Sequence, residues 1–252
     1  MKAFGVLYRR ELAAFFLSPI AYIFAIVTLA VLGWNFLWVL GMLMRNGGEV
    51  GQQQLSELFF GGNIFFWMYL IMLVMALTMR LFAEEKRAGT IEALLTAPVS
   101  DFQVVLAKYL GALTFYCVLW APTVLYYTLL GPRHLDWGIL GSAYLGTFLL
   151  GALFIAIGCL VSALCTNQFV AAILCAAILM GVSFGPLLAS NSALDAAWLK
   201  ASIRYLNLLG EGSLAGDCNR GLVTVAHLVY PLSLTAVSLF LTCKVLASRA
   251  WK

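Results

Sequence analysis

The chain has 252 residues, of which 63% are hydrophobic and only 10% charged, with a mean hydropathy of +0.97 and a formal net charge of +4. A soluble domain carries roughly 25% charged residues, so water is excluded as the solvent for most of this chain, and at about 20 residues per span it has room for about six transmembrane helices in one domain. The positive charge bears first on orientation in the bilayer, and no nucleic-acid partner is expected.

Residues 1–18 form the first expected element. At 100° per residue, Phe4, Leu7, Tyr8, Leu12 and Phe15 share one side of a helix, while Lys2, Arg9 and Arg10 fall away from it. That pattern predicts an interfacial amphipathic helix lying along the inner leaflet. Glu11 breaks it, because its direction lies inside the apolar arc. Two readings stand: Glu11 snorkels to the headgroups, or it pairs with Arg80 or Lys108 on a neighbouring helix end. The first apolar run is too long for the core of a cleavable signal, so the N-terminus is expected to stay as an anchor. Ser18 and Pro19 supply a cap and a first-turn proline for the first span.

Uncharged runs at 19–44, 58–79, 109–132 and 221–243 are each long enough to cross a bilayer. A longer uncharged run, between Asp136 and Asp195, suits two spans turning at Thr166, Asn167 and Gln168. The expectation is an all-α integral membrane domain over 19–252, with spans at about 19–44, 58–80, 104–131, 138–165, 169–189 and 221–244. With the N-terminus in the cytoplasm, ten Lys and Arg residues fall inside and five outside, which places both termini in the cytoplasm. The longest outer connection, 190–220, carries Trp198, Leu199, Ile203, Tyr205, Leu206 and Leu209 among polar residues and reads as an outer amphipathic helix. Trp34, Trp67, Trp120 and Trp137 near span ends read as an aromatic belt.

The chemistry that is missing narrows the function. The uncharged runs hold no carboxylate for an aspartyl dyad or for ion-coupled transport. No HExxH, GxSxG or GxxxxGK[ST] occurs, so neither hydrolytic catalysis nor ATP hydrolysis by a P-loop is expected of this chain. Histidines number two, His134 and His227, too few for a metal centre; His227 reads as a hydrogen-bonded membrane histidine or as part of a translocation path. Of the six cysteines, only Cys218 falls in an outer loop, so no external disulfide framework forms. Gly181 and Gly185 form a GxxxG followed by Pro186, which either packs a neighbouring helix closely or breaks the helix near the outer surface.

The densest charge lies in residues 83–100, AEEKRAGTIEALLTAPVS. Arg80 and Glu84 are four apart, so the second helix is expected to run on into the cytoplasm. Gly89 offers a break and Thr90 an N-cap for a short helix through Leu95, with Ile91, Leu94 and Leu95 on one side and Glu92 on another; Pro98 stops it. Ser100, with Gln103, caps the third span, where Asp101 sits in the positive first turn. The segment reads either as a solvated loop enforcing orientation or as a transverse helix that enters a partner's pocket.

Glu84-Glu85-Lys86-Arg87-x-Gly89-Thr90-Ile91-Glu92-x-Leu94-Leu95-x-x-Pro98-Val99-Ser100, with Lys108 after it, resembles the signature of ABC-2 type permeases, the membrane subunits of a class of ATP-binding-cassette transporters. Arg10-Glu11-Leu12, followed by Phe16-Leu17-Ser18-Pro19-Ile20-Ala21-Tyr22, is similar to the branch typified by the gliding-motility and nitrous-oxide-reductase maturation permeases. The resemblance implies an exporter in the bacterial inner membrane, working as a dimer with a second or related permease on two separate ATPase subunits that bind ATP and magnesium. An accessory subunit with an outer domain accompanies some members of that branch. It also implies that Arg9, Arg10 and Glu11 belong to the elbow, and that residues 84–98 dock in the ATPase cleft. A bent fifth segment would begin at the Gly185-Pro186 step. The rival reading from a different class is a non-transporting membrane scaffold for a cytoplasmic partner.

Overall fold

A computed structural model describes residues 2–45, 52–61, 64–89, 100–128, 136–190 and 213–248. Thr90, Glu92, Leu94, Leu95 and Pro98 lie outside the described residues, as does 191–212 of the outer connection. All regular structure among the described residues is helical: α1 (Lys2–Phe16), α2 (Pro19–Arg45), α3 (Gln52–Phe60), α4 (Ile64–Thr78), α5 (Ala83–Arg87), α6 (Asp101–Trp120), α7 (Val124–Thr128), α8 (Trp137–Leu164), α9 (Gln168–Ser190), α10 (Leu214–Asn219) and α11 (Val225–Ala247). Six segments are long and apolar enough to cross a membrane: 21–45, 64–87, 101–128, 137–164, 168–185 and 225–247.

The second of these starts at Ile64 rather than at 58. Gly61, Gly62 and Asn63 favour a break, and the residues before them form α3, a separate short helix. The third starts at Asp101, earlier than the end of the nearby charges suggests, because Ser100 has extended backbone and its hydroxyl accepts from the Gln103 N–H. Near its far end, Pro122 turns the chain through one 3-10 turn, Ala121–Thr123, before α7 resumes.

Helix α8 is the axis, most of it buried inside the chain, whereas α2, α9 and α11 keep most of their apolar surface outward. Three glycines make this possible. A Cβ on Gly146 would collide with Cys218 of α10, one on Gly151 with the Tyr116 ring of α6, and one on Gly158 with the Thr78 side chain of α4. Each glycine thus receives a side chain from a different helix, which is close approach by small residues as packing in lipid requires. Tyr116, fully buried, also donates to the Thr147 carbonyl at 3.1 Å.

The six segments alternate in direction, so α1, α5 and the end of α11 gather at one end of the bundle and α3 and α10 at the other. The α3 end is aromatic. Phe59 and Phe60 meet edge to face at 4.8 Å, and Phe60 stacks on Tyr127 at 6.0 Å. Trp67 and Trp120 join this cluster and are buried, while Trp34 and Trp137 are exposed. The expected belt is therefore half core, because α3 covers the ends of α4 and α6. Glu57 of α3 pairs with Arg220 at 3.0 Å. Gly221, at φ +84°, ends α10, with the Leu222 N–H returning to the Asp217 carbonyl. His227 accepts the Thr224 N–H through Nδ1, and its Nε2 lies 3.5 Å from Asp217. It therefore fastens the start of α11 to α10.

Replacing Gly151 or Gly158 with alanine is expected to cost roughly 1–3 kcal/mol by overpacking. Gly141→Ala on the same helix, where a Cβ meets nothing within 4 Å, is expected to be neutral or slightly stabilising; thermal unfolding in detergent separates the two outcomes. All six cysteines are free thiols. Burial, aided by the Asp217 carboxylate, pushes the Cys218 thiol up to about 11. Since the thiolate is the reactive form, iodoacetamide alkylation of a variant retaining only Cys218, a fully buried thiol, is expected to stay slow at pH 8 and to accelerate as the pH is raised towards the thiol's own value.

Candidate functional site: the ionic joint at the α5 end

The charged stretch begins where the second span unwinds. After Thr78 the chain turns through 79–82 and restarts as α5. The N–H groups of Phe82 and Ala83 at that restart donate to the Ser162 hydroxyl of α8, at 3.1 and 3.2 Å. Lys86 then donates its ammonium to the Ala163 carbonyl at the end of α8. Exposed carbonyls at a helix C-terminus favour a cation, so the position of Lys86 follows from elementary electrostatics. Gly89, at φ +71°, closes α5, with the Ala88 N–H bonded to the Glu84 carbonyl at 2.9 Å. A left-handed residue at that point favours glycine and ends the helix before Thr90.

Lys108 is the centre of the joint. It lies two turns into α6 and is 3% exposed. Its ammonium contacts both carboxylate oxygens of Glu11 at 3.3 Å and the Glu85 carboxylate at 2.7 Å, and it sits 5.5 Å from the centroid of the Phe82 ring. Arg10 closes the circuit, with Nη2 3.0 Å from Glu11 and 3.4 Å from Glu85. Glu11, only 8% exposed, therefore takes the ion-pair reading with Lys108 rather than the snorkelling one. The apolar arc that contains it faces α6, not lipid.

Gly111 brings α1 close enough for this. A Cβ there would lie 3.1 Å from the Glu11 Cβ and 3.9 Å from the Phe15 ring, so the absent side chain admits α1 beside Lys108. Tyr8 and Thr114 share a hydrogen bond at 2.8 Å, and Phe15 stacks on Phe115 at 5.4 Å. Glu85, through Lys108 and Arg10, thus ties α5 to both α1 and α6, and Lys86 ties it to α8.

Of the residues expected to meet a partner, Glu84, Arg87 and Gly89 are exposed, and Glu85 and Lys86 are engaged within the chain. Arg9 and Arg10 are exposed on α1. At the other end, Gly181 and Gly185 would each meet nothing within 4 Å if given a Cβ, and α9 continues through Pro186 to Ser190. They neither pack against this chain nor mark a break at that step. Sequence reasoning did not find Ser162, Gly111 or the Lys86 contact. Ser162 and Gly111 are small residues in apolar runs, without a pattern that separates them from ordinary packing positions.

Two cavities flank these elements. One of about 480 Å³ lies between α1, α2, α4, α5 and α6, beside Lys108. The other, about 610 Å³, runs along α2 and α4 and is lined by Trp34, Trp38, Phe65 and Tyr69, with Asn35 donating to the Phe59 carbonyl at 3.3 Å. Among the described residues no group of three His, Cys, Asp or Glu side chains is placed to hold a metal ion.

Six helices long and apolar enough to cross a membrane define a multi-pass membrane protein, helical in all the regular structure of its described residues. The chain belongs to the ABC-2 transporter permeases: the family model described as ABC-2 family transporter protein matches residues 49–205, more than half of it. No curated protein is similar enough to the chain to be matched. Permeases of this family are membrane subunits, generally not catalytic themselves, and work with ABC ATPases.

Removing Lys108 leaves two inward-facing carboxylates with only the largely exposed Arg10 between them. Lys108→Ala is expected to cost about 3–5 kcal/mol, as for a broken buried ion pair. The triple variant K108M/E11Q/E85Q, which removes Lys108 and both of its carboxylate partners and leaves only the largely exposed Arg10 charged, is expected to recover most of that loss. Melting temperatures in detergent test this; equal values for the single and triple variants would mean that the charges are not coupled.

Proposed function

We propose that this chain is the permease of an inner-membrane ABC exporter, and that the segment 84–98 docks on separate ATPase subunits which bind and hydrolyse ATP with magnesium. One observation carries the reading: α5, which forms the start of that segment, is fastened to α1, α6 and α8 by the Lys108 network and by the Ser162 and Lys86 contacts. A displacement imposed on 84–98 therefore reaches three helices at once. Arg87, exposed at the end of α5, and Glu92 supply salt-sensitive contacts, while Leu94 and Leu95 fill an apolar pocket.

In this reading the α1 end is cytoplasmic, supported by the ten-to-five excess of Lys and Arg. Helix α1 is the interfacial elbow, its exposed Val6 and the adjoining Leu17 resting in the acyl region. A second permease copy, or a related one, completes the path; the exposed aromatic groove along α2 and α4 and the open face around Gly181 and Gly185 are available to it. Similarity of the Arg10-Glu11-Leu12 and Phe16 to Tyr22 stretches supports the gliding-motility and nitrous-oxide-reductase maturation branch, with an accessory outer-domain subunit as an optional partner.

The test is gentle purification of the tagged protein from its membrane, followed by ATPase assays of what accompanies it. A stoichiometric ATPase is expected. Glu92→Arg or Leu95→Asp is expected to reduce its retention or its coupled turnover by at least tenfold, with permease yield unchanged. Full retention and coupling in both variants would defeat the docking assignment, and a partner retained without any ATP turnover would favour a scaffold.

A further inference from the structure

The cavity of about 480 Å³ beside Lys108 has two unlike walls. One is apolar, formed by Phe15, Phe24, Leu77 and Phe115 from α1, α2, α4 and α6. The other is charged, with Arg80 and Glu84 alongside Glu11, Glu85 and Lys108. The last three are matched to one another and to Arg10, two cations against two carboxylates. Arg80 and Glu84 are different. Four residues apart, they would pair on a continuous helix, but the chain unwinds between them at 79–82, and neither forms an ion pair within the described residues.

The cavity therefore presents one available guanidinium and one available carboxylate above an apolar wall, and it reaches the surface where both residues are exposed. An anionic head would satisfy Arg80 and be repelled by Glu84; a cationic head would do the reverse. Only a head carrying both charges satisfies both. Guanidinium groups match phosphate oxygens in a bidentate fork, and a carboxylate accepts from a primary ammonium. We propose that this cavity binds a zwitterionic phospholipid of the phosphoethanolamine class, its phosphate on Arg80, its ammonium on Glu84 and an acyl chain along Phe15, Phe24 and Phe115. The proposal does not depend on the transporter reading.

Glu84 also belongs to the segment proposed to dock, so binding is read on the permease purified alone. Native mass spectrometry is run after equilibration with equal amounts of phosphatidylethanolamine and phosphatidylglycerol. The wild type is expected to retain the ethanolamine lipid about tenfold over the glycerol lipid. Arg80→Gln is expected to lower retention of both about tenfold, and Glu84→Gln to abolish the preference while leaving the glycerol lipid bound. Both positions are exposed, and matching melting temperatures confirm that the variants fold. Equal retention of the two lipids by the wild type, or an unchanged preference in both variants, would overturn the assignment. Soluble phosphoethanolamine separates a lipid site from a headgroup site: displacement by it at the lipid's own concentration would show that the acyl wall contributes nothing and would overturn the lipid reading.

Discussion

A buried ammonium organises one end of this molecule. Lys108 lies two turns into a helix of the bundle, and removing such a charge from water costs several kcal/mol unless carboxylates and hydrogen bonds surround it. Glu11 and Glu85 surround it, and they come from α1 and from α5. Satisfying one charge therefore holds three helices in register. In the low-dielectric interior this arrangement is directional, because each carboxylate must approach within hydrogen-bond distance. Apolar packing alone would leave α1 free to slide along α6, while the ion pairs at Glu11 and the gap at Gly111 allow one position.

The other end is built on the opposite principle. Phe59, Phe60, Trp120 and Tyr127 interlock through ring contacts, and α3 and α10 cover the ends of the helices, with Glu57 and Arg220 pairing at their margin. Between the two ends runs α8, whose glycines receive Cys218, Tyr116 and Thr78 from three neighbours. The bundle thus has a tightly packed axis, an aromatic cap and an ionic joint. Only the ionic joint leads into the segment 90–98. In the proposed permease a mechanical input would arrive there, where the links are discrete polar contacts that have alternative partners, rather than at the interlocked cap.

The same joint gives the adjacent cavity its character. Because the chain unwinds after Thr78 so that Phe82 and Ala83 can bond Ser162, the helical register between Arg80 and Glu84 is lost. Their separation follows from that local cap, and an amphipathic cavity with two unlike charges results. The second cavity, along α2 and α4, carries no charged side chain. The walls of the two cavities therefore differ in chemistry, one charged and apolar and the other aromatic and uncharged.

The sequence by itself determined that six segments are apolar and long enough to span, that α1 is a separate helix before Pro19, that Gly89 ends a helix and that Ser100 starts one. These properties are local: span length answers to bilayer thickness, and caps and glycines act on their immediate neighbours. Function was legible to the level of the family, because the motif from Glu84 to Ser100 is contiguous in the chain. Tertiary structure alone decided which helix is the axis, that Trp67 and Trp120 are core, that Glu11 faces Lys108, and that Glu85 and Lys86 turn inward while Arg87 stays exposed. The physical reason is distance along the chain. Glu11 and Lys108 are 97 positions apart, and Lys86 and Ala163 are 77 apart; all six spans are predominantly apolar, with mean hydropathies that differ only narrowly, so hydropathy does not establish a centre, and the meeting of Gly146, Gly151 and Gly158 with side chains from other helices selects α8.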